Sequence, residues 1–201
     1  MNVAIILAAG ESRRMGQPKQ LLPFDGKTML ECVIDAFRLP QVETIIVVLG
    51  HKADDITKRL STDRDAKACP ALQIVRNPNY RQGMFTSVQA GLRALPKQAS
   101  VVMVALCDQP RLQRRTVEKL IDEFEKKQHK VLIPVYEGRQ GHPLLFRAEF
   151  VKGILELDES LTLKHFLAVR ALDIARLPVS DKGILIDIDD RADYEQALRQ
   201  S

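Results

Sequence analysis

The sequence predicts an α/β protein in which a mostly parallel sheet carries helices on both faces. Apolar runs of strand length alternate with helix-patterned stretches at least four times in the first two thirds of the chain. The first run, Val3-Ala4-Ile5-Ile6-Leu7, reads as a fully buried strand and passes into a loop of small and cationic residues: Gly10, Ser12 and Gly16 with Arg13, Arg14 and Lys19. Such a loop at the carboxyl end of a strand is where an α/β sheet receives phosphates. No linker, repeat or low-complexity stretch interrupts the pattern, so a single domain over residues 1–201 is expected.

The elements follow in order. Thr28-Met29-Leu30-Glu31 is a capping box that opens a helix to about Arg38, closed by Pro40. Glu43–Leu49 is a second buried strand and Ala53–Leu60 a helix; 61–70 reads as a polar surface connection. A third strand spans Leu72–Arg76. A loop follows over 79–85, then a helix that starts at Thr86-Ser87 and runs to Leu95. Val101–Cys107 is the most hydrophobic strand, hence central, and a long amphipathic helix follows over Leu112–Gln128. Val131–Tyr136 is a strand, and Glu137–Pro143 connects it to Leu144-Leu145-Phe146. Helical stretches near 148–157 and 160–169 precede an edge strand, Ile174–Pro178. Asp187 and Asp189 alternate on a last strand and share a face, and a helix from Arg191 has Asp190 and Asp193 at its start. The final third is expected to add mixed strands.

Composition removes several function classes. Hydrophobic content of 45% and charged content of 28% are globular values. A net charge of +4 is too small for a nucleic-acid footprint, and no apolar run reaches the length of a membrane span. The start has no signal-peptide pattern. Cys32, Cys69 and Cys107 are odd in number and widely spaced, as expected of reduced thiols in a cytoplasmic protein.

Two common phosphate motifs are excluded by spacing. Five residues separate Gly10 from Gly16 and Gln17-Pro18 follows, which rules out a Walker loop; Gly10-Glu11-Ser12 rules out a dinucleotide fingerprint. The loop then reads either as a phosphate cradle of backbone N–H groups with the charges of Arg13, Arg14 and Lys19, or as a solvated basic loop. Asp108 follows seven apolar residues and is thereby delivered to the sheet's carboxyl edge, where a strand-end Asp-x-Pro serves either a turn or a metal. Ser87 reads equally as a ligand contact or an N-cap, and either Asp189 or Asp190 caps the last helix.

The run Leu7-Ala8-Ala9-Gly10-x-Ser12-x-Arg14-Met15-Gly16-x-Pro18-Lys19-x-Leu21-Leu22 resembles the signature of nucleotidyltransferases of the molybdenum-cofactor type. The resemblance continues in Asn77-Pro78, Gly83-Met84, Ser87, Leu106–Pro110, Gly141-His142-Pro143 and Asp187-Ile188-Asp189, and covers nearly the whole chain. It implies a Rossmann-like three-layer fold that joins a nucleoside triphosphate to a phosphorylated acceptor and releases pyrophosphate. It implies that Leu7, Ala8, Ala9, Gly10, Ser12, Asn77 and Ser87 hold the nucleotide, with Arg14 and Lys19 on the triphosphate. Asp108 would hold Mg2+ with Asp187 or Asp189, and Gly83, Gly141 and His142 would face the acceptor. The catalytic set is then Arg14, Lys19 and Asp108.

The Ala8-Ala9-Gly10 wording is similar to the cytidylyltransferase branch, and the Ala9 methyl narrows the base pocket, which favours CTP over GTP. The acceptor implied is molybdopterin, with a molybdenum-dependent dehydrogenase receiving the product. Asp158–Lys164 lacks the glycines usual there in that branch. That altered segment leaves open a non-catalytic cofactor carrier, and Pro18-Lys19-Gln20, which is also similar to the cytidylyltransferases acting on methylerythritol phosphate, leaves open that acceptor.

Overall fold

A computed structural model describes residues 1–62, 70–158 and 161–199 of the chain. The strands are β1 (Asn2–Ala8), a small hairpin β2 (Pro23–Phe24) and β3 (Lys27–Thr28), β4 (Thr44–Leu49), β5 (Ala71–Arg76), β6 (Val101–Leu106), β7 (Val131–Tyr136), β8 (Arg139–Gln140), β9 (Leu144–Arg147) and β10 (Ile174–Pro178). The helices are α1 (Met29–Ala36), α2 (Ala53–Thr62), α3 (Met84–Arg93), α4 (Arg114–Lys126), α5 (Val151–Leu155), α6 (Leu163–Ala168) and α7 (Arg191–Arg199). Most of the predicted 61–70 connection, Cys69 and part of the 158–164 segment fall outside the described residues.

One sheet runs β10-β7-β9-β6-β1-β4-β5, with β8 paired to β7. The pairs β6–β1, β1–β4, β4–β5 and β7–β10 are parallel, and β9 runs antiparallel between β6 and β7. The mostly parallel α/β architecture expected from the sequence is therefore present, and β6 is central as its composition implied.

Period-two alternation along β1 explains the three layers. Ala4, Ile6 and Ala8 face a core made with Leu30 and Val33 of α1, Ile56 of α2 and Leu120 and Phe124 of α4. Val3, Ile5 and Leu7 face a second core with Phe85, Val88 and Leu92 of α3, Ile154 of α5 and Phe166 of α6. Each fully buried Ile or Leu of these strands contributes about 1.5–3 kcal/mol of transfer free energy. A third, smaller cluster joins Leu22, Phe24 and Met29 to Ile188 and to Ala197 of α7, and so ties the first loop to the end of the chain. Among the described residues no helix is long and apolar enough to cross a membrane.

Local signals hold where side chains make them. The Thr28 hydroxyl accepts from Glu31 N–H at 3.2 Å and the Glu31 carboxylate accepts from Thr28 N–H at 2.7 Å, the predicted capping box. Several boundaries differ. Helix α3 starts at Met84 behind Gly83, so Ser87 lies one turn inside and is not its N-cap. The helical stretches near 148–157 and 160–169 shrink to a 3-10 turn with α5 and to α6, and β8 was not foreseen. The expected strand through Asp187 and Asp189 is absent: a 3-10 turn over Lys182–Leu185 leads into residues without regular pairing. The alternation survives even so, because Ile188 is driven into the third cluster at 0% exposure and turns its neighbours the other way.

Candidate active site

Since β1, β4, β5 and β6 are parallel, their carboxyl ends share one edge, which collects Ala8–Gly10, Gly50-His51, Asn77-Pro78 and Cys107-Asp108. The antiparallel β9 begins at that same edge and brings Gly141 and His142 with it. Ile188 N–H donates to the Asp108 carbonyl at 2.9 Å, which docks the 187–189 segment there as well.

Lys19 is the centre of this edge. Its Nζ lies 2.7 Å from Asp108 Oδ2, 3.2 Å from Asp189 Oδ1 and 3.3 Å from the Ile188 carbonyl, with the side chain only 12% exposed. Burial pulls the Lys19 pKa down, but the Asp108 and Asp189 carboxylates outweigh it, and the ammonium is held above its ordinary value. Arg14 reaches the same cluster at 3.0 Å from Asp189 Oδ2 and is itself 65% exposed. Burial alone would raise the Asp189 pKa; the Lys19 and Arg14 cations reverse that and lower it.

Asp187 is handled differently. Its Oδ1 accepts from Gln109 Nε2 at 2.8 Å, and no cation is paired with it among the described residues. Burial, with repulsion from Asp108 and Asp189, raises its pKa despite the Gln109 bond. Asp190, not Asp189, caps α7: Asp193 N–H donates to Asp190 Oδ1 at 3.0 Å, and Asp193 Oδ2 accepts from the Asp189 and Asp190 N–H groups. Asp189 is thus left for Lys19 and Arg14.

The loop between Ala8 and Lys19 is tied from within. Gln20 is fully buried and its Nε2 donates to the carbonyls of Ala8 (2.8 Å) and Gly10 (3.0 Å). Ser12 adopts a left-handed backbone (φ 55°), and its hydroxyl accepts from Lys19 N–H at 3.0 Å. Glu11 anchors the exposed Arg13 and Arg81 side chains and so links the loop to the turn before α3. Leu7 and Ala9 are buried beneath the loop.

Asn77 and Ser87 meet and bind one another. Asn77 Nδ2 donates to the hydroxyls of Thr86 and Ser87, both at 2.9 Å, and its Oδ1 accepts from Asn79 N–H. Gly83 has φ 126° and ψ 162°, a conformation essentially restricted to glycine, and this lets the chain enter α3. Gly141 abuts the 182–185 turn: a Cβ there would stand 2.3 Å from the Ile184 carbonyl oxygen. The His142 N–H donates to that same carbonyl at 3.1 Å. Burial lowers the imidazole pKa more strongly than nearby Asp108 raises it, so His142 is neutral at neutral pH. Cys107 is buried with its thiol pushed up to about 12, as suits a packing residue.

Could this edge take a metal ion? Among the described residues, no three His, Cys, Asp or Glu side chains gather into a metal-binding group. Mg2+, however, uses one or two carboxylates and completes its shell with phosphate and water oxygens. Asp108 and Asp189 already share one cation, the Lys19 ammonium, and Asp108 Oδ1 is a buried acceptor without a partner. The donor set fits a divalent ion accompanied by phosphates.

Two functional-site side chains, Gln20 and Gln109, are not among the residues to which the sequence motifs assign a role. Both are buried glutamines whose amides bond polar groups of the protein; a polar side chain beside Leu21-Leu22 or next to a strand-end Asp is the signal that would have found them.

The family description "MobA-like NTP transferase domain" matches residues 4–176. The chain is 27% identical over 190 residues to the molybdenum cofactor cytidylyltransferase of Escherichia coli (strain K12), covering 94% of this chain and 92% of that one. It is 26% identical over 141 residues to a probable molybdenum cofactor guanylyltransferase of Bacillus cytotoxicus, covering 70% of this chain and 65% of that one. In fold it is similar to Rv0371c from Mycobacterium tuberculosis H37Rv in a complex with manganese, with a TM-score of 0.75, 22% identity and coverage of 100% and 99%.

Proposed function

Because the chain belongs to the MobA-like NTP transferase family, we propose that it transfers CMP from CTP to the terminal phosphate of molybdopterin and releases pyrophosphate. The observation that carries this reading is the meeting of Lys19, Arg14, Asp108 and Asp189 at the strand edge beside a loop built from backbone. Two cations and two carboxylates in that arrangement suit a triphosphate accompanied by a divalent ion.

Asp108 and Asp189 are the carboxylates for Mg2+, because their oxygens already converge on one cation while Asp187 is tied to Gln109. Bound there, the ion supplies charge neutralisation and polarises the phosphoryl oxygens. Lys19 and Arg14 move from the carboxylates to the triphosphate as it enters, exchanging one set of anionic partners for another, and hold the α-phosphorus in line with the attacking phosphate oxygen. The acceptor is already anionic, so no side chain has to take a proton from it. Gly141 and the neutral His142 line the acceptor side, with Gly83 at the entry to α3. Asn77 and Ser87 hold each other beneath the nucleotide and shape its floor. Ala9 favours the smaller pyrimidine base.

The test is incubation with purified molybdopterin cofactor, Mg2+ and each nucleoside triphosphate in turn. Pyrophosphate with CTP alone is expected. Pyrophosphate with GTP alone would move the chain to the guanylyl branch. Tight cofactor binding without pyrophosphate would make it a carrier, and turnover only with methylerythritol phosphate would change the acceptor.

A further inference from the structure

We propose that Gln20 is a positioning residue that sets which way the peptide groups of the nucleotide loop face, an inference that rests on the nucleotidyl-transfer reading above. One side-chain amide spends both hydrogens on this loop, at 2.8 Å from the Ala8 carbonyl and 3.0 Å from the Gly10 carbonyl. The carbonyl between them, that of Ala9, accepts from His51 N–H at 3.2 Å. Three consecutive carbonyls are therefore satisfied by the protein itself.

In a planar trans peptide the C=O of one residue and the N–H of the next point in opposite directions. Fixing the carbonyls of Ala8, Ala9 and Gly10 therefore fixes the N–H groups of Ala9, Gly10 and Glu11 away from those acceptors. None of these three N–H groups has an acceptor among the described residues. Successive free N–H groups are a binding surface for anionic oxygen, and holding them in place beforehand removes an ordering cost from binding.

Gln20 also sits beside Lys19 in one 3-10 turn, Lys19–Leu21. Its side chain goes inward at 0% exposure while that of Lys19 goes to Asp108 and Asp189. The Ser12 hydroxyl, which accepts from Lys19 N–H, approaches Gln20 Oε1 at 3.5 Å. One turn thereby aligns the N–H row with the cation that meets the triphosphate. A buried glutamine whose donors are both used on one loop is explained by that loop's geometry more directly than by packing, since an apolar residue of equal volume would fill the space without a desolvation cost.

The test pairs a variant with a measurement on the unaltered chain. In Gln20→Met, which keeps the volume, CTP affinity by calorimetric titration is expected to fall about tenfold or more. KM for CTP rises in parallel while kcat at saturation stays within about twofold. In the wild-type chain, the 15N–1H signals of Ala9, Gly10 and Glu11 are expected to shift on CTP addition. Unchanged CTP affinity in Gln20→Met would overturn the inference, as would loop amides that ignore CTP; the amide measurement decides it if the variant does not fold. A wild-type chain that binds no nucleoside triphosphate overturns the functional reading itself, and that failure is visible before any substitution is made.

Discussion

Asp108 and Asp189 reach the same ammonium by different routes. Asp108 stands two residues beyond β6, whose residues Val101–Ala105 are buried and laddered to β1, and Cys107 N–H continues that pairing onto the Leu7 carbonyl at 3.2 Å. Its place follows from the sheet. Asp189 has no strand behind it. It is held by the single buried peg of Ile188, by one hydrogen bond to the Asp108 backbone, and by the box that Asp190 and Asp193 form at the start of α7. One carboxylate is placed by many cooperative contacts and the other by a few separable ones, so substitutions should disturb the second site gradually and the first only by removing the carboxylate.

The largest effect expected is on the sheet-borne group. Asp108→Ala should cut pyrophosphate release about a thousandfold or more with the fold intact by circular dichroism; near-normal turnover would remove Asp108 from the site. Next is the peg. Ile188→Ala should cost about 2–5 kcal/mol in denaturant unfolding and raise KM for the nucleotide at the same time, since the cavity loosens Asp189. If stability falls and KM does not move, the 187–189 segment is positioned by something other than Ile188. Asp193→Ala removes the acceptor for two N–H groups and should cost about 1 kcal/mol, again with a measurable rise in KM. The smallest effect concerns His142. Its folded pKa lies below the unfolded value near 6.5, so its neutral form stabilises the fold above that pH, and the contribution is lost as pH falls through the folded pKa. The melting temperature of His142→Gln should therefore decline less than that of the wild type between about pH 7 and about pH 5; equal declines would show that the imidazole is not desolvated.

Sequence legibility followed the same division. Elements written in local chemistry were readable: the apolar runs of β1, β4 and β6, the Thr28–Glu31 capping box, and the acidic start of α7 at Asp190 and Asp193. Asp108 was legible because a buried parallel strand can only end at the sheet edge. The antiparallel insertion of β9 between β6 and β7 was not legible, since its apolar residues would satisfy several neighbours equally and only the assembled sheet selects one. Nor was the irregular course of residues 186–189, because alternation arises from a strand or from one residue buried between two exposed ones, and the pattern is the same.

The first loop brings both limits together. Residue types and spacing alone place a small, cationic loop after a buried strand, exclude Walker and dinucleotide spacing for it, and put an aspartate at the end of another strand. These are consequences of residue type and near-neighbour spacing. It takes the packed layers for Lys19 to bridge Asp108 and Asp189, for Asp187 to pair with Gln109, and for Gln20 to turn inward and hold the loop's carbonyls. Those partners lie far apart along the chain or on opposite sides of one turn, and their choice depends on distances that exist only once the layers have packed.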